Sequence, residues 1–445
     1  MTCNRTQEEH RIGGIRCAAS SDIGMRRASN QDAYAISLDE AALAEGMGDD
    51  RRGDDRTGGG KSLGHLFLVA DGMGAHAAGE LASKLAADTI PHSYSKRCDG
   101  SRVQALVDAM RDANNVIFTK GQDSVDFHGM GTTCSCLLML SGGAYAVHVG
   151  DSRIYRLRGH MLEQLTFDHS LVWELAAAGN ATEEAVPAYV PKNVITRSLG
   201  PNATVNIDVE GPFPLQKDDR FLLCSDGLTG PLSNELIGMV LATLPACKAA
   251  QTLVDLANLL GGPDNITVIV AEVHDSGWLI DPGQRGAEDP GAGDAPAGLE
   301  FSPSNQSRAS GRGRFSSLFG WLPWWRDNRG QVESLPGSVA AKRGGHGKGG
   351  KYGKGPYRRY PCQPQAENIE ILIDIVRQLE DLEDNGDWHF DWQEIQNDRH
   401  MAHQAISKGE FGEAVVAYCS AVRRLMTSLR NIEPRPSSDS DIGLC

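Results

Sequence analysis

The chain has little that would carry it into a membrane, an oxidising compartment or a complex with nucleic acid. None of its 445 residues belongs to a run approaching the ~18 consecutive apolar positions of a spanning helix. The opening stretch MTCNRTQEEHRIGG has no apolar core and no secretory-leader layout. Ten cysteines are scattered without one Cys-x-x-Cys, and only Cys134 and Cys136 are close neighbours. Two-residue spacing puts those two on one face of a strand, so buried free thiols fit better than disulfides or zinc. A soluble, cytoplasmic protein is expected. Positive charge is also scarce: the net charge is −15 and the pI about 5.3, which argues against nucleic acid as the main partner. The local exception is residues 308–360, where 12 Lys/Arg stand against 2 Asp/Glu. A complete phosphate loop is missing too. GGGKS at 58–62 needs a glycine five positions before Gly60, and that residue is Asp55.

What the chain does have is a recurring junction. FLVADGMGAH at 67–76 is an apolar strand that runs into an aspartate and then glycine. Taken alone, Asp-Gly is ordinary turn punctuation. The junction recurs, however. FLLCSDGL at 221–228 repeats it, AVHVGDSR at 146–153 ends a third strand in Asp151, and GGPDNITVIV at 261–270 sets Asp264 just before a strand. A strand fixes where a carboxylate sits, and a glycine lets backbone come close. Four aspartates at strand ends predict one centre for a hard divalent cation such as magnesium or manganese.

Residues 1–275 read as one α+β domain. Strand-like stretches fall at 66–70, 133–140, 144–150, 153–157, 205–210, 219–224 and 266–273. Helical ones fall at 76–90, 101–119, 168–178, 233–243 and 246–260. Segment 39–62 is acidic, then glycine-rich, and reads as a surface loop. Residues 276–365 turn to Gly, Pro, Ser and Arg and lose hydrophobic periodicity, so a disordered basic linker is expected. FSSLFGWLPWWR at 315–326 is an apolar island within it. It reads as a sticky patch on a linker or as a contact with an acidic partner or membrane surface. From 366 to 432 the pattern is helical again, and 433–445 is a tail. Ile369, Leu372, Ile375, Val376, Leu379 and Leu382 form one apolar face. Gly409, Phe411, Ala414, Tyr418 and Ala421 are spaced like the second half of a tetratricopeptide repeat. A single repeat has no neighbour to cover its face, so a small bundle with helix 366–384 is the plainer reading. Either way the module is expected to bind a partner or dimerise.

Together the motifs resemble the metal-dependent protein phosphatases of type 2C, in particular the bacterial serine/threonine branch. The carriers occur in family order: SDIGMRRASNQD at 21–32, VADGMGAHAAGE at 69–80, GMGTT at 129–133, HVGDSRIYRL at 148–157, LTFDHSLVWELAAAG at 165–179, NVITRSLG at 193–200, LLCSDGLTGPLS at 222–233 and GGPDNITVIV at 261–270. The resemblance spans about residues 15–273. It implies a four-layer αββα sandwich, two antiparallel sheets flanked by helices, with the metals in a cleft at one edge.

The implied reaction is hydrolysis of phosphoserine and phosphothreonine in proteins, opposing a serine/threonine kinase. A hydroxide bridging two manganese or magnesium ions would attack the phosphate, because paired cations neutralise the ester and acidify water. By family position, Asp71 would bridge both metals, with the Gly72 carbonyl on the second. Asp226 and Asp264 would complete the first. Asp32 would hold metal-bound water, and Asp151 with Asp226 would match an optional third, weaker metal. Arg27 would grip the substrate phosphate, and His76 would give a proton to the leaving alcohol. Gln31 stands where the wider family has glutamate, so weaker binding of the second metal is expected. Ala75 replaces a usual glycine. Ala185-Val186 replaces the Ala-Arg pair common in the flap beside the cleft. Two alternatives remain open at this stage: a phosphatase of a transcription-factor regulator, and a pseudophosphatase scaffold that binds phosphoproteins without hydrolysis.

Overall fold

The structure, a computed structural model, describes residues 6–12, 14–39, 62–74, 77–97, 100–178, 186–187, 189–191, 194–274, 357–384 and 392–431. His76, Ala75, Ala185, most of the 39–62 loop, the basic stretch with its tryptophans and the 433–445 tail lie outside the described residues. By contacts the chain forms two units, 1–287 with 350–445, and 288–349; the second also lies outside them.

Alternation within single strands explains the layering. In β4 (His65–Met73), Leu66, Leu68 and Ala70 enter one buried cluster while Phe67 and Val69 enter another. In β6 (Cys134–Leu140), Cys134, Cys136 and Leu138 go one way and Leu137 and Met139 the other. In β12 (Ile266–Val273), Ile266, Val268 and Val270 part from Ile269, Ala271 and Val273. A strand that is apolar on both faces must be covered on both. Two sheets therefore share one cluster, and each sheet buries its other face under helices.

One sheet joins β10 (Asp208–Phe213), β7 (Gly143–Val149), β6, β4 and β3 (Asp32–Ser37) in that order, with the short β5 (Gly131–Thr132) paired to β4. The other runs β1 (Thr6–Ile12), β2 (Ile15–Asp22), β12, β11 (Arg220–Cys224), β8 (Arg153–Arg158), β9 (Met161–Gln164) and β13 (Arg359–Pro361). Every pairing among the described strands is antiparallel. Helices α1 (Ala77–Ser95) and α2 (Arg102–Gln122) cover the first sheet through Ala82, Ile90, Leu106 and Met110. Helices α5 (Asn234–Thr243) and α6 (Ala246–Leu259) cover the second through Ile237, Val240, Leu253 and Leu256. This is the αββα sandwich of two antiparallel sheets flanked by helices. Cys134 and Cys136 are buried free thiols with their sulfurs 3.6 Å apart.

The C-terminal helices add a further layer. From α7 (Ala366–Asp384), Ile369, Leu372 and Val376 are buried; from α8 (Trp392–Lys408), Ile395 and Ala402; from α9 (Phe411–Asn431), Ala414, Tyr418 and Val422. All belong to the same cluster as α5 and α6. The hairpin of α8 and α9 thus gains its missing neighbour from the sandwich as well as from α7. Within the stretch read as linker, Arg359–Pro361 is strand β13, paired to β9. A three-residue strand carries no readable period, and the polar edge strand β1, TQEEHRI, is equally silent.

Candidate active site

Strand pairing makes the first contact of the site. Asp32 opens β3 and lies directly opposite Asp71 of β4 in the antiparallel register. Asp71 is held by its own backbone: its N–H donates to Thr133 Oγ1 at 2.9 Å, and its carbonyl accepts from the Thr132 hydroxyl and the Thr133 N–H, each at 2.9 Å. Thr133 Oγ1 in turn lies 2.7 Å from Ser152 Oγ, tying β4 to the loop that carries Asp151. The glycines after Asp71 and Asp226 answer a packing need. A Cβ on Gly72 would stand 2.1 Å from the Gly79 carbonyl oxygen, and one on Gly227 would stand 2.0 Å from the Asn265 carbonyl oxygen. No side chain fits at such distances.

The second sheet supplies the facing groups. Ser225 follows β11 at the N-cap position of the single turn α4 (Asp226–Thr229), and its hydroxyl donates to Asp32 Oδ2 at 2.7 Å. Asp226 follows it, close enough for its charge to raise the proton affinity of Asp71. Asp264 precedes β12; its Oδ2 accepts from Arg27 at 2.6 Å and its Oδ1 from the Asn265 N–H at 2.8 Å. Asn265 staples the 22–32 loop: its amide nitrogen donates to the carbonyls of Ile23 and Ser29, and its oxygen accepts from the Gln31 N–H.

These carboxylates raise one another's proton affinity. Asp32 is pushed up to about 7, first by burial and then by the charges of Asp226 and Asp264, with hydrogen bonds from Ser225 and Thr267 opposing. Burial, then Asp32 and Asp226, holds Asp71 well above the carboxylate range. Asp226 is raised by burial and Asp264. Asp151 reaches about 8 through burial, Asp226 and Asp168. The buried oxygens Asp32 Oδ1, Asp151 Oδ1 and Asp226 Oδ1 have no hydrogen-bond partner in the protein. Clustered, desolvated and partly unsatisfied carboxylates are what a hard cation would relieve. Among the described residues no three His, Cys, Asp or Glu side chains already form a single ion cage. Ions that keep several waters, each touching one or two carboxylates, do not require one. The donor set therefore fits a magnesium-like metal.

Asp71, Asp32, Asp226 and Asp264 are thus linked by direct contacts or mutual charge effects, with Asp151 reached through Asp226. Arg27, half-exposed at the rim, is paired to Asp264. The sequence reading passed over the residues that hold these groups: Thr133, Ser225 and Asn265. It also passed over a buried relay behind Asp151. The Gly150 N–H donates to His169 Nδ1 at 3.0 Å, which leaves Nε2 to donate to Asp208 at 3.1 Å, and Arg197 grips Asp208 at 3.0 Å. The motifs DHS and NVITRSLG contain two of these residues, but only the fold shows that they meet.

Comparison with known proteins identifies the family. The family model described as Protein phosphatase 2C matches residues 44–261. The chain is similar to the serine/threonine protein phosphatase PstP of Mycobacterium tuberculosis, 34% identical over 264 residues. That match covers 59% of this chain and 45% of the relative, so the chain spans less than half of that relative's length. It is also 34% identical over 267 residues to the protein phosphatase PhpP of Streptococcus pneumoniae, covering 57% of this chain and 96% of the relative. Among solved structures, the M. tuberculosis PstP/Ppp phosphatase matches with a TM-score of 0.49 at 34% identity, over 59% of this chain and 99% of that one. The PstP catalytic domain in complex with two manganese ions matches with a TM-score of 0.47 at 34% identity, over 59% and 99%. Nearly the whole of the streptococcal relative is matched at 34% identity, and the chain belongs to the protein phosphatase 2C family.

Proposed function

We propose that this chain hydrolyses phosphoserine and phosphothreonine in proteins with a pair of manganese or magnesium ions, opposing a serine/threonine kinase. The observation that carries the reading is the place of Asp32 between the two sheets: it lies opposite Asp71 and accepts from Ser225, the residue before Asp226, with Arg27 at the mouth on Asp264. Asp71, the Gly72 carbonyl, Asp226 and Asp264 would hold the ions, and Asp32 would hold their water. Asp151 with Asp226 would serve a third, weaker site. When bound, the ions screen the phosphate dianion and acidify water held between them towards hydroxide.

The rest is the work of the chain's own side chains. The Arg27 guanidinium offers a planar fork of donors that suits phosphate oxygens, and engaging them means letting go of Asp264. Ser225 keeps one oxygen of Asp32 occupied, and Oδ1 is left buried without a partner in the protein. Thr132 and Thr133 fix Asp71 through its backbone and leave its carboxylate free to face Asp226. Proton return to the leaving alcohol is assigned to His76.

The test is turnover by the full chain. Hydrolysis of a phosphoserine peptide and of p-nitrophenyl phosphate is expected in millimolar manganese and is lost with chelator. Asp71→Asn is expected to lower kcat/KM by about 10²–10³-fold, as when one key electrostatic partner of a transition state is removed. No turnover in manganese, with Asp71→Asn indistinguishable from wild type, would establish a phosphoprotein-binding scaffold instead.

A further inference from the structure

The segment beyond the sandwich touches the strand that leads into the Arg27 loop and also the segment that carries His169. At the first place, Arg430 near the end of α9 donates to Asp22 Oδ2 at 3.1 Å and to Asp255 of α6 at 3.2 Å. Asp22 ends β2 and begins the loop that carries Arg27, Gln31 and Asp32. Its other oxygen accepts from the Gly24 N–H at 2.9 Å, so one carboxylate joins α9 to the first turn of that loop. Asp22 is only 7% exposed, which shields the contact from solvent.

At a second place, the residues just before β13 hold the 164–173 segment. The Arg358 guanidinium lies 3.6 Å over the ring of Trp173, which sits in the short helix α3 (Leu171–Ala178). The Arg358 carbonyl accepts from the Gln164 N–H at 2.9 Å. Tyr357 packs against Phe167 and Phe213, and its hydroxyl donates to Glu210 at 2.7 Å. Phe167 directly precedes Asp168 and His169, and His169 clasps Gly150, the residue before Asp151.

We propose that residues 357–431 are an internal brace in which Arg358 and Arg430 act as positioning residues, holding the 164–178 segment, which carries His169, and the phosphate-gripping loop in place for a protein substrate. The inference rests on the phosphatase reading for its functional consequence, but its structural content is independent of it. Neither arginine touches the carboxylate cluster. Their effect must therefore fall on large substrates that span both segments, and not on a small ester that needs only the cleft. Two separate anchor points distinguish a brace from a domain that merely packs nearby.

The experiment compares full-length wild type, Arg358→Ala, Arg430→Ala and the double variant. Backbone amides of 165–178 in Arg358→Ala and of 22–32 in Arg430→Ala are expected to exchange hydrogen about three- to tenfold faster, with α1 and α2 unchanged. In manganese, KM for a phosphoserine peptide is expected to rise by a similar factor, while kcat for p-nitrophenyl phosphate stays within about twofold. Arg358→Lys keeps a cation over Trp173 and is expected to recover most of the loss. Should Arg430→Ala not fold, Arg430→Gln supplies the same readings with the side chain's bulk kept. Unchanged exchange at both segments in folded variants, or acceleration spread evenly over the whole chain, would overturn the brace. If wild type shows no turnover at all, the phosphatase reading fails while the exchange pattern still decides the brace.

Discussion

The two sheets are covered unequally. Among the described residues, the helices that close the face built on β4 and β6 are α1 and α2, both lying between β4 and β5 in the chain. The face built on β11 and β12 is closed by α5 and α6 and then by α7, α8 and α9, which return from beyond residue 350 to finish the same core. The first layer consists of local helices that follow the strand they cover. The second depends on a distant part of the chain, and the strand order shows it, because β13 completes the sheet edge at β9. A helix can therefore read as a separate module in sequence and still be structural to the fold it follows.

The sharpest way to break that comparison is a cavity under the added layer. Leu372 of α7 is fully buried in the cluster shared with α5 and α6. Leu372→Ala is expected to cost about 2–5 kcal/mol. The shared core further requires that the loss appear as one cooperative transition displaced as a whole, followed by denaturant titration with two probes. Two separate transitions would show that α7–α9 unfold by themselves and that the second layer is no more integral than a tethered domain. Leu106→Ala under α2 is the matching change on the other face.

The same contrast explains what the sequence disclosed. Asp71, Asp226 and Asp264 were legible because the chemistry restricts residue type and because the strand that delivers each is apolar enough to recognise. Buried strands with two apolar faces, such as β6 and β12, were legible for the same reason. The edge strands β1 and β3 were not, since half-exposed strands carry polar residues without a clean period. Asn265, Ser225 and Thr133 hold the site through hydrogen bonds to partners up to hundreds of positions away, and spacing cannot show such pairs. The docking of α9 on α6 was hidden for another reason. Its apolar face was visible, but an apolar face does not say which surface covers it. Placing Arg27 on Asp264 is a further result of the fold, for in sequence the two are 237 positions apart.

A smaller effect separates the cleft from both layers. Asp32 at about 7 and Asp151 at about 8 bind protons in the folded chain that the unfolded chain, near 3.8, has released. Their folded values are raised, so their contribution is fully present below the unfolded value and is lost as pH rises through about 7 to 8. Chelated protein is expected to melt progressively lower between about pH 6 and about pH 8.5. Manganese holds the carboxylates ionised, so adding it is expected to flatten that slope and to release protons on binding. Scanning fluorimetry in chelator and in manganese reads the slopes, and proton release follows in weakly buffered solution. A melting temperature that climbs with pH in chelator would show that the carboxylates do not share a desolvated site.

The smallest expected change concerns Gln31, the position where the motif departs from its family. Its backbone is fixed on both sides: the N–H donates to Asn265 Oδ1 at 2.8 Å and the carbonyl accepts from the Gly72 N–H at 3.1 Å. Its amide group lies against Gly79, beside the Gly72 carbonyl assigned to the second ion, so a carboxylate placed there would add negative charge at that ion without moving the chain. Ion affinity in oxygen sites follows the number of charged ligands. Gln31→Glu is therefore expected to lower the manganese needed for half-maximal turnover by about three- to tenfold, with kcat at saturating metal nearly unchanged. In chelator the same substitution adds one more like charge to the cluster and is expected to lower the melting temperature at pH 8 more than at pH 6. The two readings must move together, because both follow from one carboxylate facing the same group of aspartates. A lower metal requirement without the pH-dependent loss, or the reverse, would place the Gln31 side chain outside that group.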